Sequence, residues 1–136
     1  MKSCRMFLLS IALLLCAGCK KSSQPEPLHP EDICAVCKMA VSEQHFAAQA
    51  LLPNGDYVKF DDVGCLMKYQ PLPKKDMIWL GDYLTTQWVR ADSALILKTD
   101  SIRTPMGYGI LAYASQDSFD LAIKNLHGLQ VQLHQQ

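Results

Sequence analysis

The sequence predicts an α+β protein built from two small ββαβ-type halves packed together, each with an antiparallel sheet and one short helix. Short apolar segments recur between residues 46 and 133, and turn-forming Gly, Pro, Asn and Asp residues separate them, which is typical of strands. Two segments instead carry apolar residues at helical spacing. The predicted order of two strands, a helix and a strand occurs twice along the chain.

The N-terminus has the pattern of a secretory signal peptide. A basic start precedes an apolar run at residues 6–15, and small residues stand directly before Cys19. This pattern resembles a bacterial lipobox, so we expect residues 1–18 to be removed and Cys19 to carry a lipid. The run is shorter than the roughly 20 apolar residues of a membrane-spanning helix. An ordinary signal peptide or an uncleaved anchor is the alternative.

Residues 19–31 are polar and contain three prolines, which predicts an extended tether between the lipid and the folded part. Loss of Lys2 and Arg5 with the signal peptide leaves 13 − 2 = 11 basic residues against 13 acidic ones, a formal charge of −2. No basic surface of the kind that binds nucleic acid is visible in the sequence. The expected location is the cell envelope, at a membrane and facing the periplasm.

The first half is predicted at residues 32–90. Residues 46–52 and 57–60 form a hairpin around a Pro-Asn-Gly-Asp turn, because Asn-Gly supplies the positive φ of tight turns. Asp61 or Asp62 caps a helix that ends before Pro71. Residues 77–80 and 83–90 then read as strand, interrupted at Gly81-Asp82.

The second half is predicted at residues 91–136. Residues 94–98 and 109–114 form strands on either side of a loop that contains Pro and Gly. Ser115 begins a helix that Gly128 ends, and residues 129–133 alternate as a closing strand.

Two stretches carry soft metal ligands. Cys34 and Cys37 form a CxxC pair with Met39 two residues later, and Met106 stands in a Thr-Pro-Met-Gly loop. Thiolates and thioethers select Cu(I), Zn or Fe–S over hard cations. Because Met is not a usual ligand of Zn or Fe–S, Met39 favours Cu(I). The hypothesis is that Cys34, Cys37, Met39 and Met106 meet around one Cu(I) ion.

Other interpretations of these residues remain open. Cys34 and Cys37 could form a structural disulfide or a redox pair, since the envelope permits oxidation. The βαβ context of thioredoxin-like CxxC motifs is missing, and a structural zinc site would need further ligands. Met39 and Met106 could instead fill the core.

Three more residues are weaker candidates for the metal site. Cys65 and Met67 lie two positions apart on the predicted first helix, so they point to different faces, and a buried Cys65 is the simpler interpretation. His45 follows Met39 by six positions and could approach the site, although a solvated loop histidine is the simpler interpretation.

Several stretches together resemble the nitrous oxide reductase accessory protein family, NosL. They are residues 32–39 (DICAVCKM), 60–69 (FDDVGCLMKY), 81–83 (GDY), 88–94 (WVRADSA) and 104–109 (TPMGYG). The resemblance runs from about residue 32 to residue 127. It differs at Lys38, where the family has Gly, so this chain has less backbone freedom and an added cation at that position.

The resemblance implies two ββαβ halves, one bound Cu(I) and a lipoprotein that delivers copper to periplasmic nitrous oxide reductase. Delivery would proceed by ligand exchange. The sequence contains no catalytic triad, phosphate loop or dinucleotide motif, so we expect no enzyme activity. A homodimer around a shared ion is compatible with the sequence. The alternatives are a periplasmic thiol–disulfide protein using Cys34 and Cys37, or a metal-free docking lipoprotein.

Overall fold

The computed structural model describes residues 23–133, so the predicted signal peptide and Cys19 lie outside the described part. Within it, no helix is both long and apolar enough to cross a membrane. The elements in chain order are β1 Ala48–Leu51, β2 Tyr57–Phe60, α1 Val63–Lys68, a 3-10 turn Lys75–Met77, β3 Ile78–Gly81, β4 Trp88–Arg90, β5 Leu95–Lys98, β6 Ile110–Tyr113, α2 Gln116–Leu126 and β7 Leu129–Val131.

The strands form two antiparallel sheets. The first has the order β2-β1-β3-β4 and the second has the order β6-β5-β7. In the first sheet Ala48 of β1 pairs with Phe60 on one side and Leu80 on the other. The helix α1 contacts β1 and β2, and α2 contacts β5 and β6. The predicted class, α+β with two small antiparallel sheets and one short helix each, is confirmed.

The apolar core does not stop at the boundary between the sheets. One buried cluster joins Ala48, Phe60 and Leu80 of the first sheet to Ile96 and Ile110 of the second. A second cluster lies under α2 and contains Leu97, Leu111, Tyr113 and Phe119. The division of the chain at residues 90 and 91 into two halves stays a prediction.

Several predicted elements differ in extent from the observed ones, and the cause is visible for two of them. Only Trp88–Arg90 of predicted strand 83–90 is strand, because the Asp82 carboxylate accepts hydrogen bonds from the Leu84 and Thr85 amides and bends the chain into a turn. Helix α2 ends at Leu126, and His127 takes the left-handed C-cap conformation before Gly128. Gly128 is needed for packing, since a Cβ there would lie 2.5 Å from Leu97 Cδ1.

Asp82 also connects the two sheets. Its Oδ2 accepts a 2.6 Å hydrogen bond from the Ala114 amide, and the Tyr83 amide donates to the Ala112 carbonyl at 2.8 Å. The side chain is only 3% exposed. Burial alone would raise the pKa of this carboxyl, but hydrogen bonds from Ala114, Thr85 and Leu84 outweigh it and lower the pKa.

We predict that Asp82→Asn lowers the free energy of unfolding at pH 7 by about 1–3 kcal/mol, because it weakens charge-assisted bonds to buried amides. The folded-state pKa of Asp82 lies below its usual value of 3.8, so the stabilisation is complete above that value and is lost as pH falls through the folded pKa. Urea unfolding at pH 7 and pH 3 measures both effects.

The matched control is Asp76→Asn, at an exposed position of the first half. We expect it to leave the free energy of unfolding nearly unchanged. Equal stability of Asp82→Asn and the native chain at pH 7 would contradict this role for Asp82.

Candidate metal centre

The predicted metal-binding stretch forms a tight hairpin before the first sheet. Ile33 and Ala40 pair as an isolated antiparallel bridge, and the Cys34 amide donates to the Met39 carbonyl at 2.8 Å. The Lys38 amide returns to the Cys34 carbonyl at 3.1 Å. Lys38 has a φ of +67°, a left-handed conformation that Gly adopts more easily. Lys38 therefore holds a backbone conformation that Gly would adopt at a lower cost.

A buried lysine fastens this hairpin to β2. Lys59 is 8% exposed, and its Nζ lies 2.9 Å from Asp32 Oδ2. The Lys59 carbonyl accepts a hydrogen bond from the Ala35 amide at 2.9 Å. Burial would raise the pKa of Asp32, but the His29 amide and Lys59 lower it overall. The hairpin therefore has a fixed position at the side of the first sheet.

Three thiols and one carboxylate converge where the hairpin, β2 and α1 meet. The ligand atoms of Cys34, Cys37, Asp61 and Cys65 all lie within 4.8 Å of one another. Cys37 Sγ is 3.3 Å from Asp61 Oδ1, to which it donates a hydrogen bond. All three cysteines are free thiols. Thiolates bind soft metal ions, and metal ligands must approach one another this closely to share one ion.

The cluster is graded from the interior to the surface. Cys34 and Cys65 are fully buried, whereas Cys37 is half-buried. Burial raises the pKa of both Cys37 and Cys65, and hydrogen bonds with Cys34 and Asp61 add to the effect. A raised pKa favours the protonated thiols of Cys37 and Cys65 in the metal-free protein, and a bound cation would displace protons from them.

Asp62 attaches the loop that carries Met106 to the start of α1. Its Oδ1 accepts the Gly64 amide at 2.7 Å and so caps α1. Its Oδ2 accepts the Thr104 hydroxyl at 2.5 Å and the Met106 amide at 3.1 Å. The Thr104 hydroxyl oxygen in turn accepts the Gly109 amide at 3.1 Å. One buried carboxylate thus holds the Thr-Pro-Met-Gly loop against the helix that carries Cys65.

A close packing contact holds the other side of this loop. The ring of Tyr108 covers Gly64 so tightly that a Cβ on Gly64 would lie 2.1 Å from Tyr108 Cδ2. Lys68, one turn further along α1, places its Nζ 4.7 Å from the centre of the same ring. The glycine in α1, which lowers helix propensity, is therefore explained by the approach of the loop.

The predicted site residues differ in their position and burial. Cys34, Cys37 and Cys65 come together. Met39 and Met106 lie in the two loops beside them, with exposed fractions of 55% and 36%, so neither fills the core. The role of the two methionines as metal ligands stays a prediction.

The two remaining candidates, Met67 and His45, have other neighbours in the fold. Met67 is half-buried and packs against the main apolar core. His45 pairs with Glu43, its Nε2 lying 3.3 Å from Glu43 Oε2, and its ring packs against Phe46 and Tyr83. His45 is not among the described residues that converge on the thiols.

Sequence reasoning underestimated Asp61. The sequence offered Asp61 or Asp62 as the helix cap, with an acidic lip or docking feature as the alternative. Only Asp62 caps α1, and Asp61 lies with the thiols. The available signal was that one helix needs one capping carboxylate, which left the second without a structural role.

The fold and this cluster define a small α+β protein with a candidate site for a soft metal ion. The model of the NosL family matches residues 25–134, so the chain belongs to the NosL family. The crystal structure of the copper chaperone NosL from Shewanella denitrificans has a TM-score of 0.66 and 13% identity, over 81% of this chain and 92% of that chain. At this identity the similarity shows a common fold. A search of curated proteins finds no match.

Family membership confirms two predictions made from the sequence. The resemblance of the motifs to NosL is confirmed. The prediction that the chain is not an enzyme is also confirmed, because NosL is a non-enzymatic family.

We predict that Thr104→Val lowers the free energy of unfolding by about 1–3 kcal/mol, because it leaves buried polar groups without their hydroxyl partner. Thr104→Ser keeps the hydroxyl and should retain most of the stability. Urea unfolding measures the difference, and hydrogen exchange at the Met106 and Gly109 amides reports whether the loop loosens. Equal stability of the Val and Ser variants would contradict the role given to Thr104.

We predict that Lys38→Gly raises the free energy of unfolding by about 1 kcal/mol or less. The left-handed conformation costs a non-glycine residue about 1–2 kcal/mol, and the larger chain entropy of unfolded glycine returns about 0.5–1 kcal/mol of this gain. Lys38→Ala is the control, because it removes the amine but keeps the Cβ and should give no gain. A Gly variant less stable than the Ala variant would contradict the explanation.

Proposed function

We propose that this protein is an extracytoplasmic, lipid-anchored metallochaperone that binds Cu(I) and hands it to a periplasmic copper enzyme. The observation that carries the proposal is the convergence of Cys34, Cys37 and Cys65 beside two loops that each present a methionine. Thiolate and thioether ligands together favour Cu(I) over harder ions. Copper is the cargo of such a protein. The relative from Shewanella denitrificans, described as a copper chaperone, supports the same role.

The graded burial of the ligands suits transfer by ligand exchange. Cys34 and Cys65 are inaccessible to a partner, whereas Cys37 is half-buried and Met39 and Met106 are exposed. An incoming ligand of the client would replace the exposed ligands first. The ion then moves to the client through shared coordination and is not released to water.

Asp61 is assigned a positioning role in this site. Its carboxylate is 4% exposed and accepts the hydrogen bond from Cys37. Carboxylate oxygen is a hard ligand and matches Cu(I) poorly. Asp61 therefore holds the half-buried thiol of Cys37 within reach of the other two thiols and leaves the soft ligands to bind copper.

Apo nitrous oxide reductase is the client that we propose. Family membership and the motifs shared with nitrous oxide reductase accessory proteins support this choice. The lipobox-like sequence before Cys19 supports a lipid anchor at a membrane, with the folded part facing the periplasm.

A thiol–disulfide function is the second candidate, and the geometry favours it less. Reactive thiols are exposed and have a lowered pKa. Here Cys34 is fully buried, and the pKa of Cys37 is raised. Cys37 also lies beside a third cysteine and a carboxylate, an arrangement that a two-thiol redox couple does not require.

Anaerobic titration of the domain with Cu(I) against a competing chelator tests the metal function. We predict tight binding that Cys37→Ser and Met106→Leu each weaken by about tenfold or more, the effect of losing roughly 1.4 kcal/mol of binding free energy. Met77→Leu is the matched control, because it replaces a methionine in the first half outside the site and should leave the affinity unchanged. The ratio of copper to protein at saturation shows whether two copies share an ion.

The outcomes separate the alternatives. Weakening by Cys37→Ser alone would confine the site to the cysteines and Met39, and would exclude Met106 as a ligand. A reduced native protein that takes up no Cu(I) would contradict the proposed function.

A further inference from the structure

Residues 24–28, which the sequence predicts as part of a free tether, lie along the outer face of the first sheet. We call them the N-terminal strap. The Tyr57 hydroxyl donates to the Gln24 carbonyl at 2.5 Å. Gln49 bonds both the amide and the carbonyl of Glu26, at 2.9 and 2.8 Å. Lys59 Nζ donates to the Pro27 carbonyl at 3.1 Å.

The N-terminal strap is an integral part of the folded domain. Gln49 is fully buried and Lys59 is 8% exposed, and the strap supplies hydrogen-bond acceptors to both. A buried polar group that loses its partner costs about 1–3 kcal/mol, so detaching the strap is unfavourable at both positions. Leu28 at the end of the strap packs against the main core.

This attachment shortens the reach of a lipid on Cys19. Only five residue steps separate Cys19 from Gln24, the first strap residue. A chain of that length spans at most about 18 Å even when fully extended. An unattached tether over residues 19–31 would have allowed a reach of about 40 Å or more. A lipid anchor therefore holds the strap end of the domain near the bilayer.

The strap begins at the end of the domain that is far from the thiols. Gln24 bonds Tyr57, which pairs with Leu51 beside the β1–β2 turn. The thiol cluster includes Asp61, directly after the other end of β2. The four residue steps from Tyr57 to Asp61 correspond to about 13 Å along an extended strand.

The surface at the strap end suits an anionic membrane. We call it the hairpin end, after the β1–β2 hairpin and not the hairpin of Cys34 and Cys37. It contains an apolar groove lined by Leu51, Leu52, Pro53, Pro73, Lys74 and Met77. Lys74 is exposed and Lys75 is half-buried beside it, and the exposed Asp56 and Asp76 at the same end balance their charge. The net basic charge near the membrane therefore comes from the residues directly after the anchor position. Lys20 and Lys21 follow the anchor position directly. Each basic residue near an anionic headgroup layer contributes about 1 kcal/mol to membrane attraction.

We propose that the N-terminal strap seats the hairpin end of the domain on the anionic bilayer surface and directs the thiol cluster away from the membrane. The inference rests on the lipid anchor of the proposed function. It adds an orientation to that function: a client meets the copper site from the aqueous side, while the opposite end contacts lipid headgroups.

Fluorescence quenching by brominated lipid tests the orientation. The full-length lipidated protein is placed in vesicles of phosphatidylcholine and phosphatidylglycerol, with Asn54→Trp reporting the hairpin end and Ala40→Trp the thiol end. Both positions are exposed. We expect quenching above the native background from Trp79 and Trp88 for Asn54→Trp and none for Ala40→Trp.

A second pair of variants tests whether the short tether and the two lysines orient the domain. A flexible linker inserted between Lys21 and Ser22 leaves the strap intact but adds slack, and should abolish the excess quenching of Asn54→Trp. Lys74→Glu combined with Lys75→Glu should reduce it. Equal quenching at both ends, or quenching that survives the linker, would overturn the proposal.

Two further measurements keep this proposal distinct from the copper function. Protein that fails to float with vesicles would overturn the anchor and the orientation together. Cu(I) affinity, measured on the same linker variant, should equal that of the native protein, so a failure of copper binding would count against the metallochaperone function alone.

Discussion

The buried carboxylate of Asp62 is the interaction on which the site depends. It caps the helix that carries Cys65 and also binds the Thr104 hydroxyl and the Met106 amide, 42 and 44 positions further along the chain. Because the carboxylate is fully buried, its hydrogen bonds form in a medium where losing one is costly. The side chain of Asp62 therefore joins the first helix to the loop that carries Met106. The close contact between Gly64 and Tyr108 fixes the same two elements from the other side.

Lys59 has the corresponding role for the hairpin of Cys34 and Cys37. It lies on β2, pairs with Asp32 at the start of the hairpin, and accepts the Ala35 amide at its carbonyl. It also bonds the strap at Pro27. A buried lysine is stable only with such partners, so the hairpin, the strap and the sheet stabilise one another. Two buried charged residues, Lys59 and Asp62, thus place the two loops on either side of the thiols.

The site combines a rigid interior with an accessible rim. The interior holds Cys65 on α1, Cys34 in the hairpin that is bonded to β2, and Asp61 directly after β2, whereas Cys37 and the two methionines lie in loops nearer the surface. A closed site of four buried thiolates would hold a metal ion firmly and release it slowly. In the function that we propose, an accessible rim would let a client begin exchange while the interior ligands still hold the ion. This division suits carriage of a metal better than permanent retention.

The sequence by itself determined the elements and the candidate ligands, and only the tertiary structure decided how they combine. The Pro-Asn-Gly-Asp turn, the alternation in β2 and the helical spacing of α2 are local signals, so the α+β class and most strand positions could be predicted. The CxxC motif and the Met106 loop were likewise visible as soft ligands. Asp61 and Cys65 could not be joined to Cys37, 24 positions before Asp61, because that approach depends on how the hairpin docks on β2. For the same reason the polar, proline-containing strap looked like a free tether, since its stability comes from Gln49, Tyr57 and Lys59, residues that local patterns do not connect to it.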